Sequence, residues 1–158
     1  HYQPEGKPWS IAAGTRWTAW SRFDELRIDY KDGSGSTATP QNWNNSYTSG
    51  ISVDYRLANE DKLIFSVGYD ETPVPGASDR SAQVPEFDRR VIGFGYEMQN
   101  PFDLCGSCQA YFGYHRTLVG DRAINNTNAL NAAFSTTLTG YYKDGYVDVF
   151  AGHFQLSF

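Results

Sequence analysis

Two cysteines with a Cys-x-x-Cys spacing are the first residues in this sequence whose types and spacing could do chemistry. Cys105 and Cys108 are the only cysteines among its 158 residues. The same spacing occurs in redox dithiols and in half-sites for zinc, but a zinc site needs about four ligands. The sequence has no second Cys-x-x-Cys and no histidine pair nearby. We therefore predict no metal site and no cofactor, and expect a local disulfide that fixes a turn, as is common in an oxidising compartment.

Other chemistry-bearing residues do not form a recognisable catalytic motif. The sequence has no G-x-S-x-G, no phosphate-binding loop and no paired-carboxylate signature. His1, His115 and His153 are too scattered along the chain to predict a metal site. Ser157 lies close to His153, which is a weak basis for a lipid-acting serine–histidine pair. We therefore predict no catalytic residues and no enzymatic activity.

The composition limits the class of protein to which the chain can belong. Its net charge is -5 and its pI is near 5.1, which argues against nucleic acid as a partner. Hydrophobic residues make up 40% and aromatic residues 16%, too much apolar surface for a disordered chain. No apolar run approaches the roughly 20 residues of a membrane-spanning helix. Abundant Tyr, Phe, Trp and Gly indicate β structure instead.

Apolar and polar residues alternate with a period of two, as in β-strands with two different faces. Connections rich in Gly, Pro, Asn, Asp and Ser separate these segments, at 31–45, 71–87 and 120–128. We predict an all-β, antiparallel fold of seven strands, or eight if Lys143, Asp144 and Gly145 form a hairpin turn. The alternating segments are 9–18, 25–31, 47–57, 62–70, 89–98, 109–119 and 135–158.

Alternation of this kind fits either a soluble ligand-binding β-barrel or an outer-membrane barrel. The less apolar face is small or charged, aromatic residues stand toward the strand ends, and the last strand closes on Phe158. These features favour an antiparallel transmembrane β-barrel in the bacterial outer membrane. The soluble barrel remains an alternative, as does a small eight-stranded barrel that modifies lipids.

The lengths of the connections predict how the strands are oriented in the membrane, and the number of strands predicts that others complete the barrel. Counted back from a periplasmic end of the last strand, the short connections 21–24, 58–61 and 99–107 lie on the periplasmic side. The longer connections then lie outside, as is typical of outer-membrane barrels. Because seven strands cannot close a barrel with both ends in the periplasm, we expect the chain to be part of a larger wall.

Charged residues on the predicted lumen face are the candidate ligand-binding groups. A carboxylate substrate would require an arginine or lysine. Alternatively, these groups pair with one another across neighbouring strands. The candidates are Arg16, Arg27, Asp54, Arg56, Asp70 and His115.

Several short motifs resemble the FadL/TodX family of outer-membrane transporters for long-chain fatty acids and other hydrophobic compounds. The most specific is Asp70-Glu71-Thr72-Pro73-Val74-Pro75 followed by Val84-Pro85 and Asp88-Arg89. Their order and spacing match across nearly the whole chain. The other matching segments are Trp20-Ser21-Arg22-Phe23, Asn42-Trp43 and 140–158.

The resemblance implies a fold, a function and a set of partners. Members are 14-stranded barrels with an N-terminal hatch, so residues 1–158 would form the C-terminal part, about seven strands, without the hatch. The implied function is passive, plug-gated lateral uptake of long-chain fatty acids or hydrocarbons. The implied partners are hydrophobic small molecules, outer-membrane lipid and lipopolysaccharide, and the N-terminal half of the same barrel. Fatty-acid members tend to have a basic residue where Asn44 stands, which favours a neutral substrate.

Overall fold

The fold is entirely built from β-strands and their connections. The computed structural model describes residues 1–80, 86–101, 108–126 and 137–156, and these ranges include a 3₁₀ turn at Trp20–Arg22. No helix in this part of the chain is long and apolar enough to cross a membrane. The strands are β1 (Trp9–Thr18), β2 (Glu25–Tyr30), β3 (Gly35–Pro40), β4 (Ser46–Arg56), β5 (Lys62–Asp70), β6 (Arg89–Gln99), β7 (Cys108–Val119), β8 (Arg122–Asn126), β9 (Leu138–Tyr142) and β10 (Gly145–Leu156).

Six of these strands form one antiparallel sheet, which we call the wall, in the order β1-β4-β5-β6-β7-β10. The short connections 57–61 and 100–107 lie at one end of the wall, the turn end. The connections 19–45, 71–88 and 120–144 lie at the other end, the loop end. The predicted antiparallel all-β fold is therefore confirmed, with six wall strands among the described residues and not seven.

The segment 25–31 is not a wall strand, which corrects two predictions. Strand β2 pairs with β3, and both lie outside the wall in a two-stranded ribbon. Connection 21–24 therefore belongs to the loop end and not to the turn end. The predicted loop 31–45 also contains strand β3, because Gly33 and Gly35, both with positive φ, let the chain reverse after β2.

A second ribbon, formed by β8 and β9, continues the last hairpin of the wall. Val119 pairs with Gly145 in the wall, and Arg122 pairs with Tyr142 in the ribbon, so the register is unchanged across the junction. The predicted loop 120–128 thus contains strand β8. Lys143 and Asp144 link β9 to β10 without forming a hairpin turn, because these two strands do not pair with each other.

The apolar face of the wall is exposed, whereas the sheet of a water-soluble protein buries its apolar face. Phe65, Phe94 and Phe154 are 51%, 51% and 52% exposed. Their neighbours on the other face are small or polar, such as Ser66 opposite Gly93. An exposed apolar face of this size is typical of a barrel wall in contact with membrane lipid. We call this face the outer face and the polar one the inner face.

Small residues keep the inner face open. The ring of Tyr111 lies flat beside Gly95 and Gly113, and a Cβ atom on either glycine would come 2.8 or 2.6 Å from its hydroxyl oxygen. A side chain at either position would force the tyrosine ring to move away from the wall. The ring therefore stays close to the wall and leaves the space beyond it free.

Candidate functional site

A cavity of about 530 Å³ lies at the loop end, against the inner face. Wall strands β1, β4, β5 and β6 form its floor, and the connections above them form its sides. Its lining is Arg16, Thr18, Trp20, Phe23, Leu26, Gln41, Trp43, Ser46, Thr48, Asp70, Glu71, Pro73, Glu86 and Arg89.

An aromatic cluster forms one side of this pocket. The buried Trp43 ring packs against Trp20 with centroids 5.4 Å apart, and against Phe23 with centroids 5.2 Å apart. The 3₁₀ turn Trp20–Arg22 presents Trp20, and the Phe23 amide closes that turn on the Trp20 carbonyl oxygen. Such rings provide a rigid apolar surface for a ligand.

Backbone hydrogen bonds hold the aromatic cluster over the wall. The Gln41 amide donates to the Asp24 carbonyl oxygen at 2.8 Å, which ties the two sides of the first connection together. The Asn44 amide donates to the Pro73 carbonyl oxygen, also at 2.8 Å, and joins this connection to the next one. The pocket is therefore assembled from two loops that are far apart in sequence.

The floor of the pocket is a polar row across four strands. Arg16 pairs in register with Thr48, Thr48 with Asp70, and Asp70 with Arg89. Thr48 Oγ1 donates to Asp70 Oδ1 at 2.6 Å, while Arg89 bonds to Glu86 at 2.5 Å and lies 3.6 Å from Asp70. Thr48, Asp70, Arg89 and Glu86 thus pair with one another, as expected of polar groups that line a barrel interior.

Two hydrogen-bond donors in the pocket lack a protein partner among the described residues. The guanidinium of Arg16 makes no hydrogen bond or ion pair with them. The indole Nε1 of Trp43 is buried and without a hydrogen-bond partner. A buried donor without a partner costs about 1–3 kcal/mol, so an acceptor that reached this group would stabilise the fold.

Buried Arg80 fixes the second long connection beside the pocket. Its Nε donates to the Glu86 carbonyl oxygen at 3.0 Å, and its Nη1 donates to the Ala123 carbonyl oxygen at 2.8 Å. Asn126 Nδ2 in turn donates to the Arg80 carbonyl oxygen. Burial lowers the pKa of Arg80, although a guanidinium still remains charged at neutral pH. These hydrogen bonds of Arg80, which we call the latch, join this loop to strand β8.

The structure brings together two of the six predicted ligand residues, Arg16 and Asp70. Arg27 lies on the β2–β3 ribbon, away from the wall, and pairs with Glu25 at 2.7 Å. It was predicted on the lumen face because strand β2 alternates like a wall strand.

The other three candidates share the inner face with Arg16 but lie outside the pocket. Asp54 and Arg56 lie toward the turn end, where Arg56 pairs with Glu60 at 3.2 Å. His115 lies along strand β7, opposite Gly93 and Val149. Their role in ligand binding stays a prediction.

The proposed disulfide also stays a prediction. Cys105 lies outside the described residues, and so do Val84 and Pro85 of the family-like motif. Cys108 begins strand β7 and is 2% exposed.

The aromatic cluster was not predicted as a site. Trp43 stands in a segment otherwise rich in Asn, Ser, Thr and Gln. A single large aromatic residue in such a polar loop is the signal that could have indicated a buried contact. The pairing of this loop with the one at Pro73 is not visible in the sequence.

The outward apolar face, the open inner face and the loop-end pocket define an integral β-barrel protein of the bacterial outer membrane. The chain belongs to the outer membrane protein transport protein family (OMPP1/FadL/TodX), whose family model matches residues 2–158. The predicted family resemblance and the predicted outer-membrane location are thereby confirmed.

Individual relatives agree with this family. The chain is 26% identical over 94 residues to the long-chain fatty acid transport protein of Escherichia coli O6:H1, and 25% identical over 94 residues to that of Salmonella typhi. Each alignment covers 60% of this chain and 21% of the relative. The fold matches the crystal structure of a Pseudomonas aeruginosa FadL homologue with a TM-score of 0.82 and 21% identity, over 97% of this chain and 33% of that one.

Proposed function

We propose that the protein is an outer-membrane uptake channel for hydrophobic compounds, and that the loop-end pocket holds them on entry. The observation that carries this proposal is the aromatic cluster of Trp20, Phe23 and Trp43 beside an unpartnered indole donor. The volume of about 530 Å³ lies within the range usual for small-molecule sites.

The pocket fits a neutral substrate with one polar acceptor. Its apolar part would contact Trp20, Phe23 and Leu26. A hydroxyl or carbonyl oxygen would accept from the buried Trp43 Nε1 once the aromatic cluster shifts to admit it. Three carboxylates, of Asp70, Glu71 and Glu86, stand against two guanidinium groups, which disfavours an anionic headgroup. Hydrocarbon-like compounds with a hydroxyl or ester group are therefore favoured over fatty acids.

Uptake in this proposal is passive and involves no covalent chemistry. Each buried methylene contributes about 0.8 kcal/mol, or roughly fourfold in affinity, so a gradient of apolar contacts can draw a ligand inward. A plug inside the barrel would gate passage, and the substrate would leave sideways into the membrane. Family membership supports this route.

We also propose that further strands of the same barrel complete the wall. In the described residues β1 pairs only with β4 along its length, apart from the Tyr2–Ile11 bridge, and β10 pairs only with β7. Unpaired backbone groups at a sheet edge are costly in lipid, so both edges require partners in the membrane. The N-terminal half of the barrel, carrying the hatch, is the proposed partner.

Binding and uptake of a series of labelled alcohols, methyl esters and acids of equal chain length test this function. The variant Trp20→Ala is made in the full-length protein. We expect it to weaken binding and to slow uptake about tenfold, because it removes much of one apolar side of the pocket. Trp17→Ala is the matched control, since Trp17 lies on the outer face of the same strand region. Unchanged uptake in Trp20→Ala, or faster uptake of acids than of alcohols and esters, would contradict the proposal.

A further inference from the structure

An apolar groove of about 600 Å³ runs over the outer face, away from the loop-end pocket. Ile51, Val67 and Ile92 pair across β4, β5 and β6, so their side chains lie side by side along it. Tyr69, Leu118 and Arg90 line its end toward the loops. The groove is open to the surrounding lipid.

The loop-end part of this groove lies at the height of the membrane interface. Trp17 pairs with Tyr47, and Tyr69 pairs with Arg90, in the outermost rows of the wall. The three aromatic residues are 54%, 54% and 44% exposed on the outer face. Exposed Trp and Tyr at strand ends mark the boundary between acyl chains and headgroups.

Arg90 is the charged group with spare donors at this boundary. It is exposed, and its guanidinium makes no hydrogen bond or ion pair with any described residue. Arg116, on the same face, is already bound: it makes two hydrogen bonds to Asp148, at 2.7 and 2.8 Å, and its guanidinium lies 4.7 Å from the centre of the Tyr146 ring. An unpaired arginine on a lipid-facing wall needs an anion or water at the interface.

The geometry points to a binding site for lipopolysaccharide, with one lipid A phosphate on Arg90 and one acyl chain in the groove along Val67 and Ile92. The five guanidinium N–H donors suit a phosphate, and the aliphatic row suits an acyl chain. The site faces the outer leaflet, because long loops of outer-membrane barrels lie outside the cell. This inference depends on the outer-membrane location and not on the transport function.

Thermal unfolding of the protein in mild detergent, after removal of its native lipopolysaccharide, tests the site. The probes are lipid A with two phosphates, dephosphorylated lipid A and phosphatidylglycerol. We expect phosphorylated lipid A to raise the melting temperature at concentrations where the other two do not. In Arg90→Gln the apparent affinity for phosphorylated lipid A should fall about tenfold, the scale of one charge-assisted hydrogen bond.

Three further variants distinguish the effect of the Arg90 charge from that of the groove and from a general loss of stability. Arg90→Lys should restore part of the affinity, and Val67→Trp should weaken binding by filling the groove while leaving Arg90 in place. Arg27→Gln is the control, because Arg27 is an exposed arginine on the ribbon and not on the wall. An equal response of wild type and Arg90→Gln, or an equal response to phosphatidylglycerol, would overturn the inference.

Discussion

The indole rings of Trp20 and Trp43 meet edge to face, with centroids 5.4 Å apart and planes inclined by 78°. The two residues lie on opposite sides of a connection that contains the β2–β3 ribbon. Their contact therefore closes the base of this connection over the wall. Trp43 lines the same pocket, and its buried Nε1 has no partner among the described residues.

Trp43→Phe keeps an aromatic ring but removes the indole N–H. We expect affinity for long-chain alcohols to fall about fivefold, because a neutral hydrogen bond contributes roughly 1 kcal/mol, while affinity for the alkane of equal length stays within twofold. Competition binding with a fluorescent hydrophobic probe measures both. Equal losses for alcohol and alkane would show that the indole acts through its shape alone.

Arg80→Gln tests the latch between the second long connection and strand β8. The variant loses the two donors that reach the part-buried carbonyl oxygens of Glu86 and Ala123, at a cost of about 1–3 kcal/mol. We expect proteinase K to cleave this connection several-fold faster on intact cells, with the wall still folded. Arg27→Gln, on the ribbon, should be cleaved at the wild-type rate. A wild-type cleavage rate for Arg80→Gln would mean that other contacts hold the loop.

Asp61 makes the stability of the turn end depend on pH. Its carboxylate accepts hydrogen bonds from the Tyr96 hydroxyl, the Gln99 amide and the Asn59 side chain, and these bonds, led by that of Tyr96, hold the pKa of Asp61 below its ordinary value. Because the pKa of Asp61 is lower in the folded than in the unfolded state, its ionised carboxylate stabilises the fold at pH values above its unfolded pKa of about 4. This stabilisation is lost as the pH falls through the folded-state pKa.

The corresponding variant is Asp61→Asn. At pH 7 we expect its free energy of unfolding in urea to be lower by about 1 kcal/mol, the scale of a weakened hydrogen bond. The difference from wild type should shrink as the pH drops below about 4. Asp29→Asn, at an exposed site on the ribbon, is the control. A difference that stays constant down to low pH would contradict this account.

Cys105 and Cys108 should be linked to each other in the mature protein. Mass spectrometry after alkylation without reductant should find neither thiol modified, and a mass shift for two thiols should appear only after reduction. The double variant Cys105→Ser, Cys108→Ser should fold, because a loop this short adds little chain entropy to the unfolded state. Two alkylated thiols without reductant would refute the pairing.

Alternation in the sequence was enough to predict the faces of the wall. Phe65 and Phe94 alternate with Ser66 and Gly93 in the sequence, and the structure places the two pairs on opposite faces, because a strand exposes alternate side chains to opposite sides. The same rule failed for Ile28. It alternates with its neighbours as a wall residue does, and only pairing with β3 shows that it belongs to a ribbon.

The pocket could not be predicted from the alternation of residue types. Arg16 and Asp70 were named as candidates because they are charged and share a face. Trp43 joins them because the next residue, Asn44, donates its amide to the Pro73 carbonyl oxygen in another loop. Contacts between loops depend on where each strand ends in space. No local pattern of residue types records that position.

The even number of strands in the wall has a consequence for how such barrels vary in size. Among the described residues β1 starts and β10 finishes at the turn end, so this part of the wall consists of three hairpins. A hairpin can be gained or lost without reversing the direction of any other strand. Since neighbouring strands lie about 4.8 Å apart, each such exchange changes the circumference by roughly 10 Å. The hairpin is therefore the smallest building block by which this kind of pore can widen or narrow during evolution.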